Sequence, residues 1–377
     1  MKDKTLNLIC PYLKDCGGCH YDNLPYETQS ELKLQHLELC FKEAGLNLPR
    51  VQFISLGQNH LRNRFDFTIE ANRKGLYGRD KSILDIQACL QITPELQAAY
   101  DDFRKIDFGI KKGSVRLRVG PDKNRGVWLD FANIDIKTLL GDGKSFQQLL
   151  DLGFQIEIGQ KGKSLVKKQG LFKLADPVSS QWFQVHLNNY VSFNLSSLIS
   201  SFTQPSWTTA NSLVEVVHGW VDSLSLDSNA LSVCEFGAGI GQFTLPLLSY
   251  GHHVDVFEFD QLATEMLAVN AKKSQLQDHL TIYCDDFQKK PIAQIPKYDL
   301  ALLNPPRSGL KNFVHEVTRL KTKTCIYISC FPESLAQDLK AFVNAGYEIK
   351  DVVLVDQFPQ TKHFETCVLL QRIDTNT

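Results

Sequence analysis

Apolar residues recur along this chain in two rhythms. Over residues 28–44 they fall at helical spacing, with Leu32, Leu39 and Phe41 among them, and predict an amphipathic helix. From about residue 64 to 128 they alternate with polar residues in short runs, as in Phe65-Asp66-Phe67-Thr68-Ile69 and Val115-Arg116-Leu117-Arg118-Val119. That is the period of strands with one face buried. Runs at 154–158 and 182–185 continue it. After Pro205 strand and helix signals alternate, with strands expected at 231–236, 254–257, 280–283, 300–303 and 325–328 and helices between. This alternation predicts a doubly wound α/β sheet. Two last runs, 349–356 and 365–372, predict a closing hairpin. The expected division is an N-terminal segment over 1–95, a small central β-rich domain over 96–204 and an α/β domain over 205–377.

Composition narrows the setting. Of 377 residues 43% are hydrophobic, as in an ordinary globular protein. No apolar stretch approaches the roughly 18 residues a membrane span needs. The opening MKDKTLNLIC has no long apolar core and is not read as a secretory signal. A cytoplasmic protein without a membrane partner is therefore expected. The net charge of −1 gives no global pull toward nucleic acid, so any RNA contact must come from local basic patches. Ten cysteines without a secretion signal argue against a disulfide scaffold and for core, metal-ligand or nucleophile roles.

The run at 231–236 ends in a glycine turn, Gly237, Gly239 and Gly241. Such a turn lets backbone approach a ligand. The next strand ends in Glu258, roughly 20 residues on, where a carboxylate can accept ribose hydroxyls. A glycine turn alone is also what a plain tight turn looks like. The strand at 300–303 runs into Asn304-Pro305-Pro306-Arg307, whose prolines stiffen a loop that can hold Asn304 toward a substrate or cofactor. Together EFGAGIG, VFEFD and LLNPPR resemble a class I methyltransferase rather than a dehydrogenase. That resemblance implies an S-adenosylmethionine site. Phe236 and the three glycines would lie against the cofactor, Glu258 at the ribose, Asp286 on the adenine side and Asn304 nearby. The acid of the first motif, most often Asp in that class, is Glu235 here.

Ser329-Cys330-Phe331-Pro332-Glu333 follows the strand at 325–328 and places Cys330 on the same sheet edge as Asn304. Residues 358–365 lie in the hairpin connection and end in His363-Phe364-Glu365. A thiolate is a strong nucleophile, and a nearby carboxylate can serve as a base. The segments NPPR, SCxPxxLxxDL and FPxTxHxE resemble the RNA uracil-5-methyltransferase family, which includes 23S ribosomal RNA enzymes and tRNA enzymes. The resemblance implies that Cys330 adds to carbon 6 of uracil and that Glu365 removes the carbon-5 proton after methyl transfer. The plainer reading of Cys330 is a small buried hydrophobe. That reading is preferred for Cys234, Cys284, Cys325 and Cys367, on strands or strand ends. His363 either orients Glu365 or ends a turn.

Near the N-terminus Cys10, Cys16 and Cys19 fall within ten positions, and Cys89 follows later. Four thiolates suit a four-iron cluster or zinc, and spacing does not choose. The CGGC string with a distant CLQ cysteine resembles the cluster motif of ribosomal family members. It implies a [4Fe-4S] cluster on Cys10, Cys16, Cys19 and Cys89, at least as a staple, and a 23S rRNA substrate. No separate β-barrel RNA-binding domain is read ahead of Cys10, which resembles the shorter 23S enzymes. Cys40, on the expected helix, is assigned to packing. Arg62, Arg64, Arg73, Lys74 and Arg79 form one candidate phosphate-binding patch, with Phe65 or Tyr77 for base stacking. Lys161, Lys163, Lys167 and Lys168 form another; either is also an ordinary solvated face. The target uridine must be looped or flipped out. No obligate protein partner is evident.

The family's Phe-Gln-x-Asn segment has two candidates here, Trp182-Phe183-Gln184-Val185-His186 and 204–211. The second has the better spacing to Glu235, with Thr209 where Gln is expected, so that contact is expected to be altered or lost. Three competing readings remain: a tRNA uracil-5-methyltransferase, an adenine amino-methyltransferase and a non-catalytic RNA-binding factor on a methyltransferase scaffold. The adenine enzymes call for an aromatic residue where Arg307 stands and need no nucleophilic cysteine.

Overall fold

The computed structural model describes residues 10–21, 24–131, 134–141, 143–187, 191–224, 230–286 and 297–373. Regular structure starts with α1 (Tyr26–Ala44) and β1 (Val51–Ser55). Gly45, at φ 72°, ends α1 by letting N–H groups return to Lys42 and Phe41 carbonyls. Next come β2 (Arg64–Glu70), β3 (Arg73–Tyr77), β4 (Ile83–Asp85), α2 (Pro94–Arg104), β5 (Lys112–Val119) and β6 (Arg125–Asp130). After them lie α3 (Ile136–Gly141), α4 (Gly143–Asp151), β7 (Phe154–Ile158), β8 (Lys163–Lys168) and β9 (Leu171–Ala175). These strands form one eight-stranded sheet in the order β4-β3-β2-β5-β6-β7-β8-β9. All its pairs are antiparallel except β6 with β7, which α3 and α4 connect. The alternating residues Phe65, Phe67, Ile69, Val115 and Leu117 point into a core closed by Leu96, Tyr100 and Phe103 of α2 and Phe146 of α4. Strands from both sides of residue 95 share this sheet, so the first boundary expected from the sequence falls inside it.

A two-stranded hairpin, β10 (Ser180–Leu187) and β11 (Val191–Ser197), precedes α5 (Trp207–Leu224). The chain then alternates through β12 (Ser232–Phe236), α6 (Thr244–Ser249), β13 (His253–Glu258), α7 (Gln261–Lys273), β14 (Leu280–Cys284) and β15 (Leu300–Leu303). It closes with α8 (Val314–Arg319), β16 (Thr324–Ser329), α9 (Pro332–Asn344), β17 (Tyr347–Asp356) and β18 (Glu365–Arg372). The second sheet has eight strands in the order β1-β17-β18-β16-β15-β12-β13-β14. β12 to β16 run parallel, and β18 inserts antiparallel between β16 and β17. Apolar clusters on its two faces explain why its central strands read as unbroken apolar runs. The N-terminal β1 adds in parallel beside β17, and α1 packs on the same face as α8 and α9. Part of the expected N-terminal segment thus belongs to the C-terminal sheet. Among the described residues no helix is long and apolar enough to cross a membrane.

Candidate active site and cysteine cavity

The order of strands reverses between β12 and β15, which opens a crevice beyond their C-terminal ends. Gly237, Gly239 and Gly241 all take positive φ there, at 81°, 56° and 100°. The first is required by closeness, since a Cβ on Gly237 would lie 2.4 Å from the Asn304 carbonyl oxygen. A Cβ on Gly239 would meet no atom within 4 Å, so the turn leaves open space at its tip. Glu258 accepts hydrogen bonds from the backbone N–H groups of Gly239, Phe259 and Asp260 at 2.9 to 3.0 Å. Its carboxylate is fixed at the mouth of the turn. Asn304 is half-buried, and its N–H donates to the Phe236 carbonyl at 2.9 Å. Asp286 follows β14 at the far edge, half-buried, with its N–H on the Asp285 carboxylate.

The Phe236 ring is fully buried, stacked at 4.9 Å on Phe257, which stacks at 4.8 Å on Tyr283. These residues are register partners on β12, β13 and β14, so cross-strand pairing holds the ring in the sheet face. Phe236 therefore offers the crevice its backbone. Glu235 is also buried. One carboxylate oxygen accepts the Thr244 hydroxyl at 2.7 Å, and the other has no protein partner. Burial first, then the charge of Glu258, pushes Glu235 up to about 8.

Cys330 and Glu365 come together through strand register. Ser329 of β16 pairs with Thr366 of β18, so the residue leaving one strand faces the residue entering the other. Burial raises the Cys330 thiol, and the Glu365 charge adds to the rise, while a hydrogen bond from Arg307 and its positive charge oppose it. Burial likewise pushes Glu365 up to about 8, against the charge of Arg307 and a hydrogen bond with Gln204. Arg307 thus acts on both groups. The NPPR string carried this arginine in plain view, but nothing in it pointed to the thiol.

Thr209 lies fully buried in the first turn of α5, and its hydroxyl donates to the Ser206 carbonyl. The residue of that segment that meets the site is Gln204, on Glu365. Gln184 bonds Asn194 across the β10–β11 hairpin instead. The His363 N–H donates to the Thr361 hydroxyl at 3.2 Å. Its ring sits edge-on to His20 at 5.5 Å, and burial, with Arg307 and His20 adding, lowers it to about 4.

Cys10, Cys16, Cys19 and Cys89 line a single cavity of about 200 Å³, together with Arg62, Phe358 and Gln360. Burial and the neighbouring Cys89 and Cys16 push Cys19 up to about 12, against the pull of Arg62. The Gly17 N–H donates to the Tyr77 carbonyl, and a Cβ there would lie 2.8 Å from that oxygen, so the loop lies tightly on the end of β3. The cavity adjoins the loop between β17 and β18, because the N–H groups of His20 and Tyr21 both donate to the Gln360 carbonyl.

The basic patches are partly dismantled. Lys74 is buried, its ammonium on the Arg104 carbonyl, and Phe65 is a core residue. Arg64 donates to the Thr203 carbonyl and pairs with Asp66 at 3.0 Å, while Arg62 lies over the Phe358 ring at 5.6 Å. Arg73, Arg79 and Tyr77 remain exposed. Lys161, Lys167 and Lys168 are exposed too, with Lys167 bonded to Gln147 and Lys163 paired with Asp176.

A doubly wound sheet with this glycine turn, fixed carboxylate and crevice is the fold of a class I S-adenosylmethionine-dependent methyltransferase. The tRNA (Uracil-5-)-methyltransferase family matches residues 184–373, and the chain belongs to that family of RNA uracil-C5 methyltransferases. It is 42% identical to an uncharacterized RNA methyltransferase of Bdellovibrio bacteriovorus, over 98% of this chain and 97% of that protein. It is 28% identical to the 23S rRNA (uracil(1939)-C(5))-methyltransferase RlmD of Shewanella halifaxensis, over 96% of this chain and 81% of that one. The tRNA (uracil-54, C5)-methyltransferase of Pyrococcus abyssi, solved with S-adenosyl-L-homocysteine, shares the fold. It superposes with a TM-score of 0.68 at 21% identity, covering 94% of this chain and 86% of that one.

Proposed function

We propose that this enzyme methylates carbon 5 of a uridine in 23S ribosomal RNA. In this reading Cys330 is the nucleophile, Glu365 is the base, and Cys10, Cys16, Cys19 and Cys89 hold a [4Fe-4S] cluster. The observation that carries the reaction is the facing of Cys330 and Glu365 at the ends of β16 and β18, with Arg307 acting on both.

Carbon 5 of uracil is a weak nucleophile until carbon 6 is attacked. The Cys330 thiolate bonds to carbon 6, and the displaced electron pair makes an enolate that is nucleophilic at carbon 5. S-adenosylmethionine, when bound, supplies the methyl group as an electrophile on its sulfonium. Glu365 then takes the carbon-5 proton, and the electron pair it leaves re-forms the double bond as the Cys330 thiolate departs. Arg307 favours both anionic forms. The residues present fit the donor: the Gly237–Gly241 turn offers backbone and open space, Glu258 has a fixed carboxylate for ribose hydroxyls, and Asn304 and Asp286 flank the crevice. Because Glu365 is buried, the target base must leave its stack to reach it.

The four cysteines fit a cluster better than a single ion. One tetrahedral zinc would bring its sulfurs to about 3.8 Å of each other. Among the described residues the one His, Cys, Asp and Glu group gathered within 4.8 Å is elsewhere, at His36, Cys40 and Glu333. Four thiols spread around a cavity instead suit a four-iron cube. That set of cysteines, with relatives named as 23S rRNA enzymes, supports ribosomal RNA over tRNA. A cytoplasmic setting follows from such a substrate. Mapping 5-methyluridine in cells with and without the gene tests the assignment. Loss at a 23S position is expected; loss confined to tRNA overturns it.

A further inference from the structure

α1 and α9 meet just behind the catalytic strand ends, and their contact holds a set of side chains that the reaction does not use. His36 and Cys40 stand one helical turn apart on α1 and so share one face of it. Glu333 lies in the first turn of α9, three positions after Cys330. The His36 Nε2 atom is 3.0 Å from a Glu333 carboxylate oxygen. The ligand atoms of His36, Cys40 and Glu333 all lie within 4.8 Å of one another. We propose that these three residues bind one thiophilic divalent cation, with zinc as the matching metal, at a site separate from the cysteine cavity.

The donor set argues for that metal. An imidazole, a thiolate and a carboxylate are the mixed ligands zinc takes in four-coordinate sites, and magnesium or calcium would not select a thiolate. Bonds of about 2.0 to 2.3 Å to zinc bring ligand atoms to under about 4 Å of each other, a small contraction from the present spacing. Three protein ligands leave a fourth position for water. Cys40 is buried at the base of the site, while His36 and Glu333 are partly exposed, so the ion has a path in from solvent. The position links this ion to the catalytic elements. The His36 ring is edge-on to Phe364 at 6.1 Å, next to Glu365 in the chain. A cation there would tie α1 to the segments that carry both Cys330 and Glu365.

The test uses the full chain with its N-terminal cysteines intact and cobalt(II) as the probe, followed by zinc competition. Difference spectra between the wild type and each variant cancel absorption from any cluster. The wild type is expected to gain one equivalent of cobalt with a sulfur-to-metal charge-transfer band, displaced by zinc. His36→Gln and Glu333→Gln should each weaken binding about tenfold or more, and Cys40→Ser should remove the charge-transfer band. Zinc should raise the melting temperature of the wild type and not that of His36→Gln. Equal metal content and affinity in the wild type, His36→Gln and Glu333→Gln would overturn the site and leave an ordinary ion pair over a core cysteine. A bound ion whose spectrum is unchanged in Cys40→Ser would overturn it as well.

Discussion

Cys330 and Glu365 face each other because Ser329 and Thr366 are the last register pair between β16 and β18. The rigid antiparallel ladder behind them sets their separation, and no loop has to close to bring them together. In the proposed reaction the two groups act at opposite ends, so their variants should fail differently. Cys330→Ser is expected to lose methylation and to form no adduct with RNA carrying 5-fluorouridine. Glu365→Gln should still add to the base and accept the methyl group but release product about 10² to 10⁴-fold more slowly. A covalent protein–RNA complex on unmodified uridine should therefore build up in Glu365→Gln alone, visible as a band shift in denaturing gels. A Glu365→Gln enzyme that turns over freely would remove this residue from the base role.

The pH profile follows from the same burial. As the proposed base, Glu365 must be a carboxylate to take the proton, and burial pushes it up to about 8. Cys330 must be a thiolate and is raised as well. Both requirements push activity toward alkaline pH. Tritium release from carbon 5 should rise steeply through pH 8 and go on rising above it, because the Cys330 thiol is raised as well. Arg307 lowers both groups, so Arg307→Ala should move the rising limb to higher pH, a shift that mere loss of RNA affinity would not produce. Stability runs the other way. Glu365 and Glu235 are both raised well above the unfolded value, so the folded chain holds their protons more tightly. That contribution is full below about pH 4.5, the ordinary carboxyl value, and is lost as pH rises through about 8. Urea midpoints should fall across that window, and the fall should be smaller in Glu235→Gln.

The parallel part of the fold was open to reading because strands buried on both faces are short apolar runs between glycine and proline signals. The glycine turn is legible in the same way, since backbone at positive φ favours glycine. Other features depend on partners far away in the chain. Nothing in Val51–Ser55 says that its neighbour is Val352–Asp356. Phe65 and Lys74 sit in a basic, aromatic string, yet strand alternation sends Phe65 inward, and Arg104 supplies a carbonyl that draws Lys74 in. Spacing alone does not reveal that Gln204, at the start of the 204–211 segment, reaches Glu365. Lys33 left a usable trace. It shares the helical stripe of Gln29, Leu37, Cys40 and Ala44, all of them buried.

The glycine turn allows a discriminating pair of substitutions. In Gly237→Ala the new methyl would press on the Asn304 carbonyl at 2.4 Å, in backbone that already disfavours a side chain. That change should unfold or strongly destabilise the protein. In Gly239→Ala the methyl points into open space, and the left-handed backbone alone costs about 1 to 2 kcal/mol. This variant should stay folded by circular dichroism yet bind S-adenosylhomocysteine at least tenfold more weakly by calorimetry. Unchanged affinity would mean that the donor lies away from the tip of the turn.

Lys33 makes the last prediction. Its ammonium lies 2.6 Å from the Asp356 carboxylate, with both side chains fully buried, and donates to the Phe358 carbonyl at 3.0 Å. The Tyr26 hydroxyl adds a bond of 2.8 Å to the same carboxylate. This clamp holds the start of the loop whose far end is Glu365. Removing one partner of a buried pair leaves the other charge uncompensated and costs about 3 to 5 kcal/mol. Lys33→Met should lower unfolding free energy in urea by about that much, and adding Asp356→Asn should restore part of it, because the stranded carboxylate is then gone. Below its melting temperature the single variant should still form the Cys330 adduct with 5-fluorouridine RNA, since β16 is untouched. Its turnover on normal RNA should fall about 10- to 100-fold, because a small displacement of Glu365 slows proton removal. If adduct formation and turnover fell together, Lys33 would serve the fold as a whole rather than the placement of the base.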